Sequence, residues 1–252
     1  MNMGGRGASS ASSKGKLATG KASPMTDKQF KKLKDFLKNK HGITLDASVK
    51  QLDHEMVKQG ISGIDKVLNE FPQMAGCINE IFYDKNCSSN TLAYAQYKYD
   101  KQKGTLCTQL AFTKYFADKT SISNSATRWG NWHPPNHDAR AIMAHETGHA
   151  LEAALANKKG ITLYERINIK AKGKCSTRIF QQACKKIKKT SYGKGKTNDE
   201  LVRAVSGYAG HNKRKLKRME AFAECISDYV TNGKSSNLLS QAVWDIVKKE
   251  MS

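Results

Sequence analysis

In the stretch "TDKQFKKLKDFLKNKHG", Phe30, Leu33, Phe36 and Leu37 recur at helical spacing and form one apolar stripe. Thr26 stands where an N-cap belongs and Gly42 where a helix ends, so the pattern predicts a first amphipathic helix. A second, short helix is expected over "SGIDKVLNEF", residues 62–71. The spacing then changes to alternation. Two aromatic-rich stretches, roughly 91–99 and 105–112, flank a polar turn containing Gly104 and predict a hairpin. "RWGNWHPPNH" cannot be regular, because Pro134 and Pro135 interrupt it. A helix follows from near Asp138 to about Asn157, with Asp138 or Asn136 as its N-cap and "NKKG" as its stop. Further helices are expected around "TRIFQQACKKIKK", in "RMEAFAECISDYV" and in "NLLSQAVWDIVKKEM", the last two split by "TNGKSSN". No internal repeat is visible.

These elements predict an α+β fold, mainly helical, with a small antiparallel sheet or hairpin ahead of the central helix. Three segments follow: a disordered Gly/Ser/Lys-rich tail over 1–25, a helical segment over 26–85, and a domain over 86–252 with a basic insert at 158–200. The chain of 252 residues can bury a sizeable core, and no apolar run reaches the roughly 18 residues a membrane span needs. The opening residues have no apolar core of a secretory signal, and Gly4 and Ala8 do not fit a myristoylation pattern. The expected location is therefore cytoplasmic. The six cysteines form no CxxC pair and read as reduced thiols, packed as small hydrophobes. Net charge is +21, concentrated in Lys158–Lys196 and in "HNKRKLKR", which favours acidic partners such as nucleic acid. No helix-turn-helix, zinc-finger or aromatic-basic signature points to sequence-specific binding.

The chemistry is concentrated in "AIMAHETGHALEAAL". His145 and His149 are four apart, so on a helix both imidazoles point to one spot, as zinc requires of nitrogen ligands at about 2.0–2.1 Å. Glu146 lies beside the first histidine, where a general base for an activated water is needed. A random His-Glu-x-x-His would occur in roughly one in a hundred chains of this composition. Gly148 is expected to leave room for a substrate backbone. In "DHEMV", His54 and Glu55 lack a second histidine at that spacing and read as surface.

Two histidines need a third ligand. A metzincin would place a histidine where Leu155 stands, so a carboxylate from a later helix is expected: Glu165, Glu220 or Glu224. Glu152 reads as solvent-facing. Glu220 and Glu224 are four apart in "MEAFAECISDY", so one can bind the ion while the other accepts a hydrogen bond from a ligand histidine, with Asp228 a further acceptor.

"AHETGHALE", followed by "SGYA" and "EAFAE", resembles the catalytic core of the anthrax lethal factor class of zinc metallopeptidases. It is similar, too, to metallopeptidase domains of phage and prophage structural or head-morphogenesis proteins, a resemblance that implies a phage- or prophage-encoded protein and makes virion association a second expected location. The resemblance covers residues 125–250 at most and rests on three short motifs. It implies a zincin-like fold in which Glu220 joins His145 and His149 on zinc and Glu224 stands behind them. It also implies that a tyrosine, by the Ser-x-Tyr match Tyr208, stabilises the transition state. "AGHNKRKLKR" makes the gap from that tyrosine to Glu220 longer than the family's, which leaves Tyr192 as its rival. The expected activity is zinc-dependent hydrolysis of a protein or peptide, with the hairpin offering an edge strand to the substrate, while His133 and His137, flanking the Pro-Pro turn, read as exposed loop residues outside the catalytic set. The alternative is a basic, non-catalytic accessory protein that binds nucleic acid or phage structural proteins and retains a vestigial zinc site.

Overall fold

The structure, a computed structural model, describes residues 23–88, 91–118, 120–122, 138–160, 174–210 and 217–252. The loop carrying His133 and His137, the segment carrying Glu165, and residues 1–22 lie outside the described residues. Helix α1 spans Asp27–His41. The Thr26 hydroxyl accepts from the Gln29 amide while the Gln29 side chain answers the Thr26 backbone, and Gly42 closes the helix at φ 71°. Leu33 and Leu37 are buried as the stripe requires, but Phe36 is exposed, its ring edge-on to His41 and under the Lys40 ammonium.

Helix α2 spans His54–Glu70, two turns longer than the expected element. The Asp53 carboxylate accepts from the Glu55 and Met56 amides, so "DHEMV" is a capped first turn, with Met56 and Val57 buried. Gly60 and Gly63 interrupt the sequence pattern because they lie against neighbours. A Cβ at Gly63 would stand 2.2 Å from the Arg140 carbonyl oxygen, and one at Gly60 would meet Phe112 and Met143. The helix-breaking cost of a glycine, about 1 kcal/mol, is offset by this close approach.

The sheet is mixed, not antiparallel. Its strands are β1 (Thr44–Leu45), β2 (Ile78–Tyr83), β3 (Ala93–Asp100) and β4 (Thr105–Phe112), in the order β1-β2-β4-β3. β1, β2 and β4 run parallel, and only β3, the hairpin partner of β4, is antiparallel. The difference arises because parallel neighbours need a crossover connection, and here α2 supplies the one between β1 and β2. A two-residue β1 leaves no periodicity to read. On one sheet face Gln96, Gln109 and Glu80 form a hydrogen-bonded row across β3, β4 and β2.

Helix α3 spans Ala139–Lys158 and starts where the Asp138 carboxylate accepts from the Ala141 amide. It is buried on every side from Ala141 to Ala156. This explains its composition: Ala139, Ala141, Ala144, Ala150, Ala153, Ala154 and Ala156 let α2, the hairpin and a later helix all approach it. Asn157 ties its end to the sheet, with its side-chain amide bonded to both the N–H and the C=O of Leu106. The rest is helical: α4 (Lys174–Lys188), α5 (Asn198–Arg203), α6 (Gly207–Gly210), α7 (Arg218–Asn232) and α8 (Leu238–Met251). One core runs from Leu33 and Ile64 through Leu151 to Phe222 and Trp244. Five of the six cysteines are buried. Among the described residues, no helix is long and apolar enough to cross a membrane.

Candidate metal centre

The site forms where α3 crosses α7. Gly148 sits at the crossing: a Cβ there would lie 3.1 Å from the Ala223 Cα and 3.3 Å from the Ile226 Cβ. The Ser227 hydroxyl, one turn on, donates to the Ala141 carbonyl at 2.7 Å. Gly148 therefore serves contact between the two helices, and the expectation that it clears space for substrate is corrected. A side chain at this point would push apart the helix that carries the histidines and the helix that carries the carboxylates.

Through this contact α7 presents Glu220 and Glu224 to α3. The rings of His145 and His149 stand edge to face, 4.9 Å apart. The Glu220 Oε2 lies 3.3 Å from the His145 Nε2 and 3.7 Å from the His149 Nε2. One ligand atom from each of the three residues falls within 4.8 Å of the others, a group that could hold a metal ion. On its other side, the His145 Nδ1 is 3.5 Å from the Glu224 Oε1, and Glu224 is buried. The carboxylates thus divide: Glu220 faces the point where both Nε2 atoms converge, and Glu224 backs the distal nitrogen of His145. In a neutral His145, a proton kept on Nδ1 by this carboxylate would leave Nε2 available to an ion.

The electrostatics match such a cage. Burial pulls the His145 imidazole towards neutrality, but Glu224, then Glu220 and Glu146, outweigh it and lift its pKa to about 10. Burial would also raise Glu220, yet His149 and His145 hold its carboxyl well below the usual range. Glu146 moves the other way. Burial pushes its carboxyl up, against the pull of His145, His149 and the Ala95 amide that hydrogen-bonds to it. Without a cation, two imidazoles face three carboxylates, of which Glu146 and Glu224 are buried and Glu220 is partly exposed, so the site is built to take up positive charge.

The Ala95 contact shows what lies on the open side. Ala95 belongs to β3, the outermost strand of the sheet, and that strand is joined to the helix again where the Tyr97 hydroxyl donates to the His149 carbonyl at 2.9 Å. The sequence indicated a hairpin but gave no sign that Tyr97 anchors the histidine helix, since an aromatic at alternating spacing is equally at home in a core.

Tyr208, on α6, is buried, and its phenol is pushed up by burial and by Glu220, Glu224 and Glu146 together. The Lys217 ammonium lies 4.6 Å from its ring centroid. Tyr192 stands elsewhere: its hydroxyl meets the Asn237 side-chain amide at 3.2 Å, at the start of α8, and Lys196 covers its ring. Tyr208 is thus the tyrosine within electrostatic reach of the site carboxylates.

Two acidic residues depart from expectation. Glu152 does not face solvent. It is buried, and its carboxylate accepts from the Cys175 and Ser176 amides at 3.0 and 2.5 Å, capping α4. Asp228 does not back a ligand. It accepts from Asn232 at 2.8 Å and from the Asn237 amide at 2.9 Å, holding the α7–α8 turn. Comparison of the chain with family models, with curated proteins and with solved structures gave no match.

Proposed function

We propose that the chain is a zinc-dependent metallopeptidase with a zincin-like fold, and that His145, His149 and Glu220 are its zinc ligands. The observation that carries this reading is the convergence of two imidazole nitrogens and one carboxylate oxygen from helices far apart in sequence. Ligands at about 2.0–2.1 Å on a tetrahedral ion stand about 3.3 Å from one another, and the Glu220 Oε2 stands 3.3 and 3.7 Å from the two imidazole Nε2 atoms. Two nitrogens and one oxygen suit zinc better than calcium or magnesium, which prefer all-oxygen cages. Three protein ligands leave the fourth position that a catalytic site keeps open.

Zinc, when bound, supplies a Lewis acid that polarises a carbonyl and makes water a nucleophile near neutral pH. Glu146, beside the ligands but outside the donor set, takes the proton of the attacking water on its carboxylate and delivers it to the leaving amine. The Tyr208 hydroxyl donates to the oxyanion that develops on the scissile carbonyl. A peptide is the favoured substrate because β3 is the outer strand of the sheet and its Ala95 amide lies at Glu146. An extended chain can pair with such an edge and bring its carbonyl to the base.

Metal analysis tests the ligand set. The purified protein should carry stoichiometric zinc, and His149→Ala and Glu220→Ala should each lose it. Zinc retained in Glu220→Ala would remove this residue from the cage and turn attention to Glu224 or Glu165. For the oxyanion donor, Tyr208→Phe should lower kcat on an unfolded protein substrate by about 10²–10³-fold, with zinc content unchanged, while Tyr192→Phe should leave kcat within about twofold. Equal effects of the two substitutions would remove Tyr208 from the mechanism.

A further inference from the structure

The positive charge is compensated unevenly. In α1, Lys31 lies 2.6 Å from Asp35 and Lys40 2.7 Å from Asp65, and in α8 Lys248 lies 2.7 Å from Glu70. Helix α4 lacks this balance, because no Asp or Glu occurs between Glu165 and Asp199. Its buried face carries Cys175, Ile179, Phe180, Ala183, Cys184 and Ile187. At about 100° per residue, Lys174, Arg178, Lys185 and Lys188, with Lys189 just past the helix end, fall in the opposite sector, and Thr177, Gln181 and Gln182 share it with them. Arg178 is paired with Glu250, and Lys186, at the margin, with Asp245. Among the described residues, no carboxylate lies within 4.0 Å of the ammonium groups of Lys174, Lys185, Lys188 or Lys189, nor of Lys194 and Lys196 in the turn that follows.

The chemistry of this face selects its partner. From Lys174 to Lys188 the helix rises about 21 Å, and its exposed sector carries only cationic and uncharged polar side chains. The exposed large hydrophobics among the described residues are Phe36, Tyr99 and Leu238, none of them on α4. The face therefore has no apolar anchor for a protein interface and nothing to insert into a lipid surface. A polyanion with closely repeating charge fits it, and duplex nucleic acid carries one charge per about 1.7 Å of axis.

We propose that the exposed face of α4, continued by the Lys189–Lys196 turn, binds nucleic acid through the phosphate backbone without reading sequence. This rests on charge placement alone and is independent of the metal centre. The full chain, titrated with labelled 20-base-pair duplexes of two unrelated sequences, should bind both within about threefold of each other. About four phosphate contacts should make affinity fall by about 100-fold between 50 and 200 mM salt. Lys185→Gln, Lys188→Gln and Lys189→Gln together should weaken binding at 50 mM salt by at least about tenfold and lower the salt slope by about one unit per lysine. Lys28→Gln, Lys32→Gln and Lys34→Gln on α1 remove the same charge and should change affinity by less than about threefold. All six side chains are exposed, and circular dichroism and zinc content should be unchanged in both triple variants. Absence of duplex binding at 50 mM salt, or equal losses in the two variants, would overturn the proposal. So would α4-dependent binding to phosphatidylserine vesicles in place of duplex, which would make the face a membrane reader.

Discussion

Glu146→Gln should leave zinc in place and lower kcat on an unfolded protein substrate by about 10²–10⁴-fold, the range expected when a positioned general base is lost. The substitution is nearly isosteric. Its amide oxygen can still accept from the Ala95 N–H, so the contact between α3 and β3 survives. The donor set of His145, His149 and Glu220 is untouched. Only the ability to take a proton is gone. Burial also makes Glu146 a better base than an exposed glutamate, because a carboxyl pushed up holds a proton more firmly near neutral pH. Hydrolysis retained in the variant would remove Glu146 as the base, and zinc lost with it would make Glu146 a ligand. Zinc retained in a wild-type chain without hydrolysis would favour the accessory-protein alternative.

Local signals carried much of the fold. Thr26 with Gln29, Gly42 and Asp138 are caps whose chemistry acts within one turn, so they can be read without knowing what the helix touches. The hairpin announced itself through alternation and Gly104, and it occupies Ala93–Asp100 and Thr105–Phe112. The HExxH spacing holds its meaning on any helix, which is why His145 and His149 were legible.

Whatever depends on distant neighbours was not. Gly60 and Gly63 look like breakers until Arg140 and Phe112 stand against them. Glu152 looks like a surface carboxylate until α4 brings its first amides to it. Gly148 gave no sign that its missing side chain sets how closely α7 approaches α3. The parallel strands β1 and β2 depend on a crossover, and two residues of β1 carry no period. The Glu220 and Glu224 pair was recognisable as a pair. Which of them faces the two imidazole Nε2 atoms came only from the resemblance, since spacing four apart puts both on one helix face and leaves their order undetermined.

Zinc uptake at roughly pH 8 should release about one proton, and apparent affinity should rise about tenfold per pH unit between roughly pH 6 and 9. The sign follows from His145. An ordinary histidine is mostly neutral above about pH 6.5 and would bind an ion at pH 8 without giving up a proton. In the metal-free site the three carboxylates keep His145 protonated up to about pH 10. The ion must displace that proton, so below this value acid competes with zinc and the competition fades as pH rises. Isothermal titration calorimetry in two buffers of different ionisation enthalpy counts the released proton directly. Glu224 contributes the largest upward pull on His145, so Glu224→Gln should cut the count at pH 8 well below one while leaving His145, His149 and Glu220 able to bind. A count near zero in the wild type would mean that His145 is already neutral and the site is not the cation trap its carboxylates suggest. A count near one in both proteins would assign the effect to Glu220 and Glu146, and the carboxylate behind the distal nitrogen of His145 would then act through orientation alone.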